Sequence, residues 1–428
     1  MTKFKLGLAA AAAGSLLATT AMAEDLSVWM RYGENERNVL DAVIAEFTAQ
    51  TGIGVDLFLA NTDFETRLAR AAAGGNLPDV VVNDATIVGQ LLEMGILSEI
   101  DRDSFKGADA IYDVAWESTL GPDGRHYGVP ISAQAFAVFV RKDWREALGY
   151  DKPETWEDLF ELARAFTEDD PNGNGKADTY GYVMPVSATR GYTSWFLSDL
   201  IWQAGGAFVE ESNGTFRSTL GTQEVATAIE FGRSFICAGY AQPAAITATT
   251  GDATPVFSSG QAGIYRSGPY HNAPFSKEPG SDLIEVILPP AGPAGRGSLA
   301  EGEAAFITVT SKVPETAQTF IEFLVSESGQ RLGMAEGMDS SPIVRLSVNK
   351  NVDTLAVRGD EGWATFAQQF AEAGQYFPRV PNWKPIRQVT ADGFNRILAD
   401  CSSDIGAALA AIDEAVNAEL DRQDVLIK

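Results

Sequence analysis

Pro78-Asp79-Val80-Val81-Val82-Asn83-Asp84 holds three consecutive valines bounded by polar residues. A strand with one wet face alternates apolar and polar side chains. A run that is apolar on both faces belongs to a strand covered on both sides. Upstream lie two further short apolar runs, Leu26 to Met30 and Val55 to Leu59. Between them Val39, Leu40, Val43, Ile44 and Phe47 recur at helical spacing up to Gly52, and Phe64 to Ala73 reads as a second helix. Thr86 to Met94 follows as a third. Strand and helix therefore alternate, and the expectation is an α/β lobe built on a largely parallel sheet.

From Tyr127 the pattern changes. Gly128-Val129-Pro130-Ile131 leads through Ser132-Ala133-Gln134 into a second apolar strand, Ala135 to Arg141. Thr155 to Phe166 reads as a helix opened by Thr155 and Asp158 at capping-box spacing, with Leu159, Leu162, Ala163 and Phe166 on one face. Tyr192 to Phe208 is helical and rich in Trp, Tyr and Gly. Pro289 to Gly297 is a Pro/Gly loop, Glu303 to Val309 a strand, and Glu315 to Leu324 and Ile405 to Leu420 are helices. The 428 residues suffice for two lobes.

The first 23 residues carry Lys3 and Lys5, an apolar stretch from Leu6 to Ala18, and Ala21-Met22-Ala23, a small-x-small cleavage site. They are expected to be an export signal, with a mature chain from Glu24 outside the cytoplasm. No cysteine follows Ala23, which argues against a lipid anchor. The formal net charge of −26 repels phosphate backbones and anionic lipid, so nucleic acid is not an expected partner. Cys237 and Cys401 are the only cysteines, and in an oxidising compartment such a pair is expected to be a disulfide. Two histidines, His126 and His271, leave little room for histidine-based catalysis or zinc.

No GxSxG, HExxH, P-loop or dinucleotide fingerprint is present. What recurs is aromatic residues beside polar ones: Trp29-Met30-Arg31-Tyr32, Tyr192-Thr193-Ser194-Trp195, Gly268-Pro269-Tyr270-His271-Asn272 and Pro381-Asn382-Trp383. An aromatic ring stacks on the apolar face of a pyranose, while amides and carboxylates serve its hydroxyls.

Several of these stretches, in order, resemble the solute-binding proteins of bacterial carbohydrate ABC importers, the group that includes maltose-binding protein. They are Leu26-Ser27-Val28-Trp29, Ala73 to Val80, Tyr127 to Pro130 with Phe139 to Asp143, Pro153 to Leu159, Gly263 to Pro269 and Ala304 to Thr310. The resemblance implies a periplasmic, two-lobed binding-protein fold of α/β type. Its crossings would lie near Ser132 to Ala137, Gly302 to Ala305 and Ser340 to Val344. The expected lobes are then 24–133 with 304–340, and 138–302 with 344–428. It also implies a monomer that captures a sugar or oligosaccharide in the cleft, closes by a hinge and docks on a membrane permease. A secreted carbohydrate-active enzyme and a binder of a polyol or polyamine are the competing readings.

Carried over residue by residue, the resemblance places Tyr32, Glu36, Asp84, Gln134, Trp195, Tyr270, Arg379, Asn382 and Trp383 at the ligand, with His271 and Asn272 nearby. Maltose-binding protein has a glutamate where Gln134 stands, so hydroxyl pairing should differ. No cofactor is required. The run Asp170-Pro171-Asn172-Gly173-Asn174-Gly175-Lys176-Ala177-Asp178 matches the first part of an EF-hand loop, Lys176 contributing its carbonyl. The twelfth position is Gly181, where that loop needs a glutamate, so a structural calcium is one reading and an Asn-Gly turn the other.

Overall fold

A computed structural model describes Met1 and residues 25–60, 63–338 and 340–428. Apart from Met1, the expected export signal lies outside the described residues. In chain order the strands are β1 (Leu26–Met30), β2 (Val55–Leu59), β3 (Val80–Asp84), β4 (Val129–Ala135), β5 (Ala137–Arg141) and β6 (Tyr180–Val183). They continue with β7 (Val209–Ser212), β8 (Thr215–Ser218), β9 (Ala262–Ser267), β10 (Ile284–Ile287), β11 (Ser298–Ile307) and β12 (Gly374–Gln375).

Two main sheets result. The first runs β12-β11-β3-β1-β2, with β4 also paired to β11. β1 lies parallel to both β2 and β3, while β11 returns antiparallel beside β3, with Ala305 opposite Val82. Val80, Val81 and Val82 are fully buried, Val80 and Val82 in one core and Val81 in another across the sheet. That is why the valine run has no polar face. The second sheet runs β10-β5-β9-β6 and is covered by the helices Trp156–Glu168, Tyr192–Gln203 and Gln223–Cys237.

Local signals set most element ends. Gly52 closes helix Arg37–Thr51 in the left-handed region at φ 75°. Helix Trp156–Glu168 opens with the reciprocal pair foreseen: Asp158 N donates to Thr155 Oγ1 (3.2 Å) and Thr155 N to Asp158 Oδ2 (3.0 Å). The apolar tract from Val129 to Arg141 is two strands in two different sheets, with only Phe136 between them. β11 starts at Ser298, five residues before the expected Glu303, so the return to the first sheet is complete by residue 298 and does not wait for Gly302. Helix Tyr192–Gln203 stops short of Phe208. The helices Gln223–Cys237, Glu361–Ala373 and Trp383–Ala399 were not read from sequence.

The last crossing also lies elsewhere. Residues Ile343, Val344, Leu346, Val348 and Val352 pack into the first core with Val129 and Ile131, and Leu346 bridges Ala133. The second core takes the chain up only from Val380, through helix Trp383–Ala399 to helix Ile405–Arg422. A second-lobe boundary at 344 is therefore too early. Helix Glu361–Ala373 packs on strands of both sheets, β4, β5, β10 and β11, and carries the chain between them. Cys237 and Cys401 are bonded, with a Cα–Cα distance of 5.8 Å, tying the end of one second-lobe helix to the turn before another. Among the described residues no helix is long and apolar enough to cross a membrane.

Candidate functional site

β4 and β11 carry polar side chains where the rest of each strand is apolar, and these meet at the junction of the lobes. Gln134 Nε2 donates to Glu301 Oε2 (2.9 Å), and the Trp195 indole N–H donates to Glu301 Oε1 (3.0 Å). Arg345 Nη1 donates to Gln134 Oε1 (3.2 Å) and to Glu303 Oε1 (2.9 Å). A continuous polar chain thus runs from helix Tyr192–Gln203 through β11 and β4 to the 343–352 segment. Gly302 sits between the two glutamates; a Cβ there would lie 2.0 Å from the Ser132 carbonyl, so the close approach of β4 and β11 requires glycine.

Above this floor is a cavity of about 990 Å³ lined by Gln134, Tyr192, Trp195, Tyr270, Glu301, Arg345, Asn382, Trp383 and Arg387 among others. The size and the mixture of rings with a few converging polar groups are those of a small-molecule site. Trp195 is held edge-on against Phe136 (4.5 Å, 82°) and Tyr192 (6.0 Å, 86°), which leaves its ring positioned by packing on two sides. Behind it lies a buried ion pair: Arg266 Nη1 stands 2.5 Å from Asp199 Oδ2, and Asp199 Oδ1 accepts from Leu299 N (2.7 Å). Tyr270 follows β9, and its ring lies over Gly268, where a Cβ would be 2.4 Å from the ring. Asn382 is anchored by its backbone to Gln423, at 3.0 and 2.9 Å. Trp383 packs on Phe377 and Phe208, and its buried indole N–H has no partner among the described residues.

Five expected ligand residues, Gln134, Trp195, Tyr270, Asn382 and Trp383, are therefore brought together. Four are not among the cavity's lining. Tyr32 is buried, and its hydroxyl donates to the Ile343 carbonyl (3.0 Å), a link between backbone segments of the first lobe. Glu36 accepts from Gly33 N (3.0 Å) and closes a helix start. Asp84 accepts from Arg31 Nη1 (2.8 Å). Arg379 lines a small neighbouring pocket of about 60 Å³. His271 is structural: its ring nitrogens bond Ser267 Oγ (2.7 Å) and Thr254 Oγ1 (2.8 Å), and it stacks on Phe275. Asn272 is buried beneath it and also outside the lining.

Sequence reasoning missed Glu301, Arg345 and Arg387, and it named Tyr192 in an aromatic cluster without placing it at the ligand. The signal for Glu301 was present: two glutamates interrupt an otherwise apolar stretch from Leu299 to Ile307. Burial governs their electrostatics. It pushes the Glu301 carboxyl up, with Arg387 and the Trp195 and Gln134 hydrogen bonds pulling it back. Burial likewise raises Asp84 to about 6 against the pull of Arg31, raises the Tyr270 phenol to about 12 and lowers His271 to about 4. His271 is consequently neutral at pH 7.

The side chains of the 170–178 loop bond to one another and to its backbone. Asn172 and Asn174 both reach the Asp178 carboxylate (3.3 and 3.1 Å), while Asp170 accepts from Asn174 N and Gly175 N (3.1 and 2.9 Å). The amide nitrogens face the carboxylate, and the Asn172 and Asn174 side-chain oxygens accept from Asn174 N and Lys176 N (3.1 and 2.8 Å), so the loop is closed on itself by hydrogen bonds, as in an Asn-Gly turn. Gly181 lies against the Ala163 backbone and offers no twelfth ligand. Among the described residues no group of three His, Cys, Asp or Glu side chains gathers as a metal cage would.

Residues 33–331 match the model of the bacterial extracellular solute-binding protein family. The polygalacturonan/rhamnogalacturonan-binding protein YtcQ of Bacillus subtilis (strain 168) is 28% identical over 289 residues, 63% of this chain and 55% of its own length. The chain thus spans about half of that relative. Among solved structures, the cyclic alpha-maltosyl-1,6-maltose binding protein of Arthrobacter globiformis superposes with a TM-score of 0.78 at 20% identity, covering 93% of this chain and 99% of that one. The sugar-binding protein MalE of Xanthomonas citri does so with a TM-score of 0.78 at 22% identity, covering 94% and 98%. These likenesses show the two-lobed fold of MalE-like binding proteins. With 33–331 matched and the fold shared, the chain belongs to the bacterial extracellular solute-binding protein family.

Proposed function

We propose that this protein captures a carbohydrate in the cleft between its lobes and delivers it to the membrane permease of an ABC importer, as a freely diffusing periplasmic monomer that performs no turnover. The observation that carries the reading is the pairing of rings with fixed polar groups. Trp195, Tyr270 and Trp383 line the same cavity as Gln134, Glu301 and Arg345. Rings supply area for the apolar faces of a pyranose, and the preset carboxylate, amide and guanidinium serve hydroxyls in fixed directions. The names of YtcQ and of the two structural neighbours, all binders of saccharides, support it.

The architecture supports delivery by closure: β4 passes into β5 through Phe136, and helix Glu361–Ala373 packs on both sheets, so the crossings are few. Calcium enters as a structural ion in the 170–178 loop, held by Asp170, Asn172, Asn174 and Asp178 and stiffening the turn between a helix and β6.

A thermal-shift panel of mono- and oligosaccharides, polyols and polyamines tests the ligand class, because a ligand bound only by the folded form raises Tm. Stabilisation by saccharides and by neither other class is expected. Stabilisation by a polyamine alone, or hydrolysis of a glycoside by the purified protein, would overturn the proposal.

A further inference from the structure

The cavity's charge is opposite to that of the molecule around it. The chain has 58 acidic and 32 basic residues, yet four cations, Arg190, Arg345, Lys384 and Arg387, line the cavity against one carboxylate, Glu301. Glu301 already accepts from Gln134 and Trp195, one bond on each oxygen. Arg345 is committed to Glu303. Arg387, Arg190 and Lys384 have no ion-pair partner among the described residues.

Arg387 is the most informative of the three. It is half-buried, and among the described residues its guanidinium makes one hydrogen bond, a long one from Nε to the Gly191 carbonyl (3.4 Å). A guanidinium drawn out of water with no carboxylate at ion-pair distance is costly, and burial pulls its pKa down although the more distant Glu301 pulls it back up. Its position is nonetheless built in. Gly191 has φ 78°, and a Cβ there would stand 2.6 Å from Arg387 Cγ. Only glycine lets the helix start at Tyr192 and the arginine stem coexist. The remaining donors of this planar fork are matched in geometry to a carboxylate.

We infer that the saccharide taken by this cleft is an acidic one, its carboxylate seated on Arg387 with Arg190 and Lys384 at the rim. The inference rests on the carbohydrate reading above and narrows its substrate class. Uronate sugars have this chemistry; a sugar phosphate is the other source of an anion.

The test is calorimetric titration of the full protein with oligosaccharides of galacturonate and of glucuronate. Each is measured beside its methyl ester, which removes the charge at the cost of one added methyl group, and beside a sugar phosphate. The acid should bind roughly ten-fold or more tighter than its ester. Raising salt should narrow the gap, because charge pairing is screened. Arg387→Gln should bring the ratio near one. Lys384→Gln, at an exposed position that should not disturb folding, should reduce it by a smaller factor. Equal binding of acid and ester, or a preference that survives in both variants, would overturn the inference. So would preference for the phosphate alone, or binding of neutral oligosaccharides only, in which cases the carbohydrate reading would stand. Binding of no saccharide at all would remove that reading and this inference with it.

Discussion

Glu301 shows how a single residue can join the lobes without belonging to either core. Its two oxygens are taken by donors from different elements, Gln134 on β4 and Trp195 on the helix that starts at Tyr192. Glu301→Gln turns one acceptor into a donor facing another donor. That should weaken saccharide binding about ten-fold or more, while unfolding stays cooperative by circular dichroism. Trp195→Ala removes a ring pinned by Phe136 and Tyr192 and should cost a similar or larger factor. Unchanged affinity in both would remove the site from this cleft.

Asp84 makes a pH prediction. Its carboxyl, raised to about 6 mainly by burial, keeps its proton in the folded state after the unfolded chain has lost it. Its contribution to stability is therefore lost as pH rises from about 4 through 6. Asp84→Asn should flatten the fall of Tm over that window relative to wild type; parallel curves would refute the shift. Of these residues, Gln134 and Trp195 were legible in sequence because each sits in an aromatic or crossover motif. Arg345 and Arg387 were not. Their roles depend on contacts with Gln134 and with Gly191, 211 and 196 residues away, which no local pattern records.

At the scale of elements, periodicity and caps were enough for β1, β2, β3 and the helices between them. The valine run of β3 and the Gly52 stop fell where they were read. The helix Trp383–Ala399 escaped because its Trp383-Lys384-Pro385 start carries aromatic and proline signals that read as a loop. β11 was truncated because its first half is broken by Glu301, Gly302 and Glu303, and only its pairing with β4 makes it a strand. The Cys237–Cys401 bond closes a separation of 164 residues between second-lobe helices. Replacing both cysteines by serine should lower stability by about 2–5 kcal/mol, read by denaturant unfolding, since the cross-link chiefly restricts the unfolded chain. For the loop at 170–178, calcium added to chelated protein should raise Tm, and Asp178→Ala should abolish the rise. An unchanged Tm would leave the loop as a hydrogen-bonded turn.

The whole molecule is two lobes, each built on one main sheet, joined by β4–β5, by the chain between β10 and β11, and by the helix Glu361–Ala373, with a cavity of about 990 Å³ above the joints. The two-lobed plan was legible from the switch in strand pattern near Tyr127 together with the family resemblance. The position of the last crossing was not, because Ile343 to Val352 look like any apolar segment until they pack on Val129 and Ile131. A ligand that bridges the lobes should bring them together, and the radius of gyration by small-angle scattering should fall on binding. The central claim is that the cavity above Glu301 is a saccharide site. It is tested most directly by calorimetric titration of wild type and Trp195→Ala with one oligosaccharide identified as stabilising. The account predicts a single saturable site in wild type, weakened about ten-fold or more in the variant. Equal affinity in both proteins would contradict it.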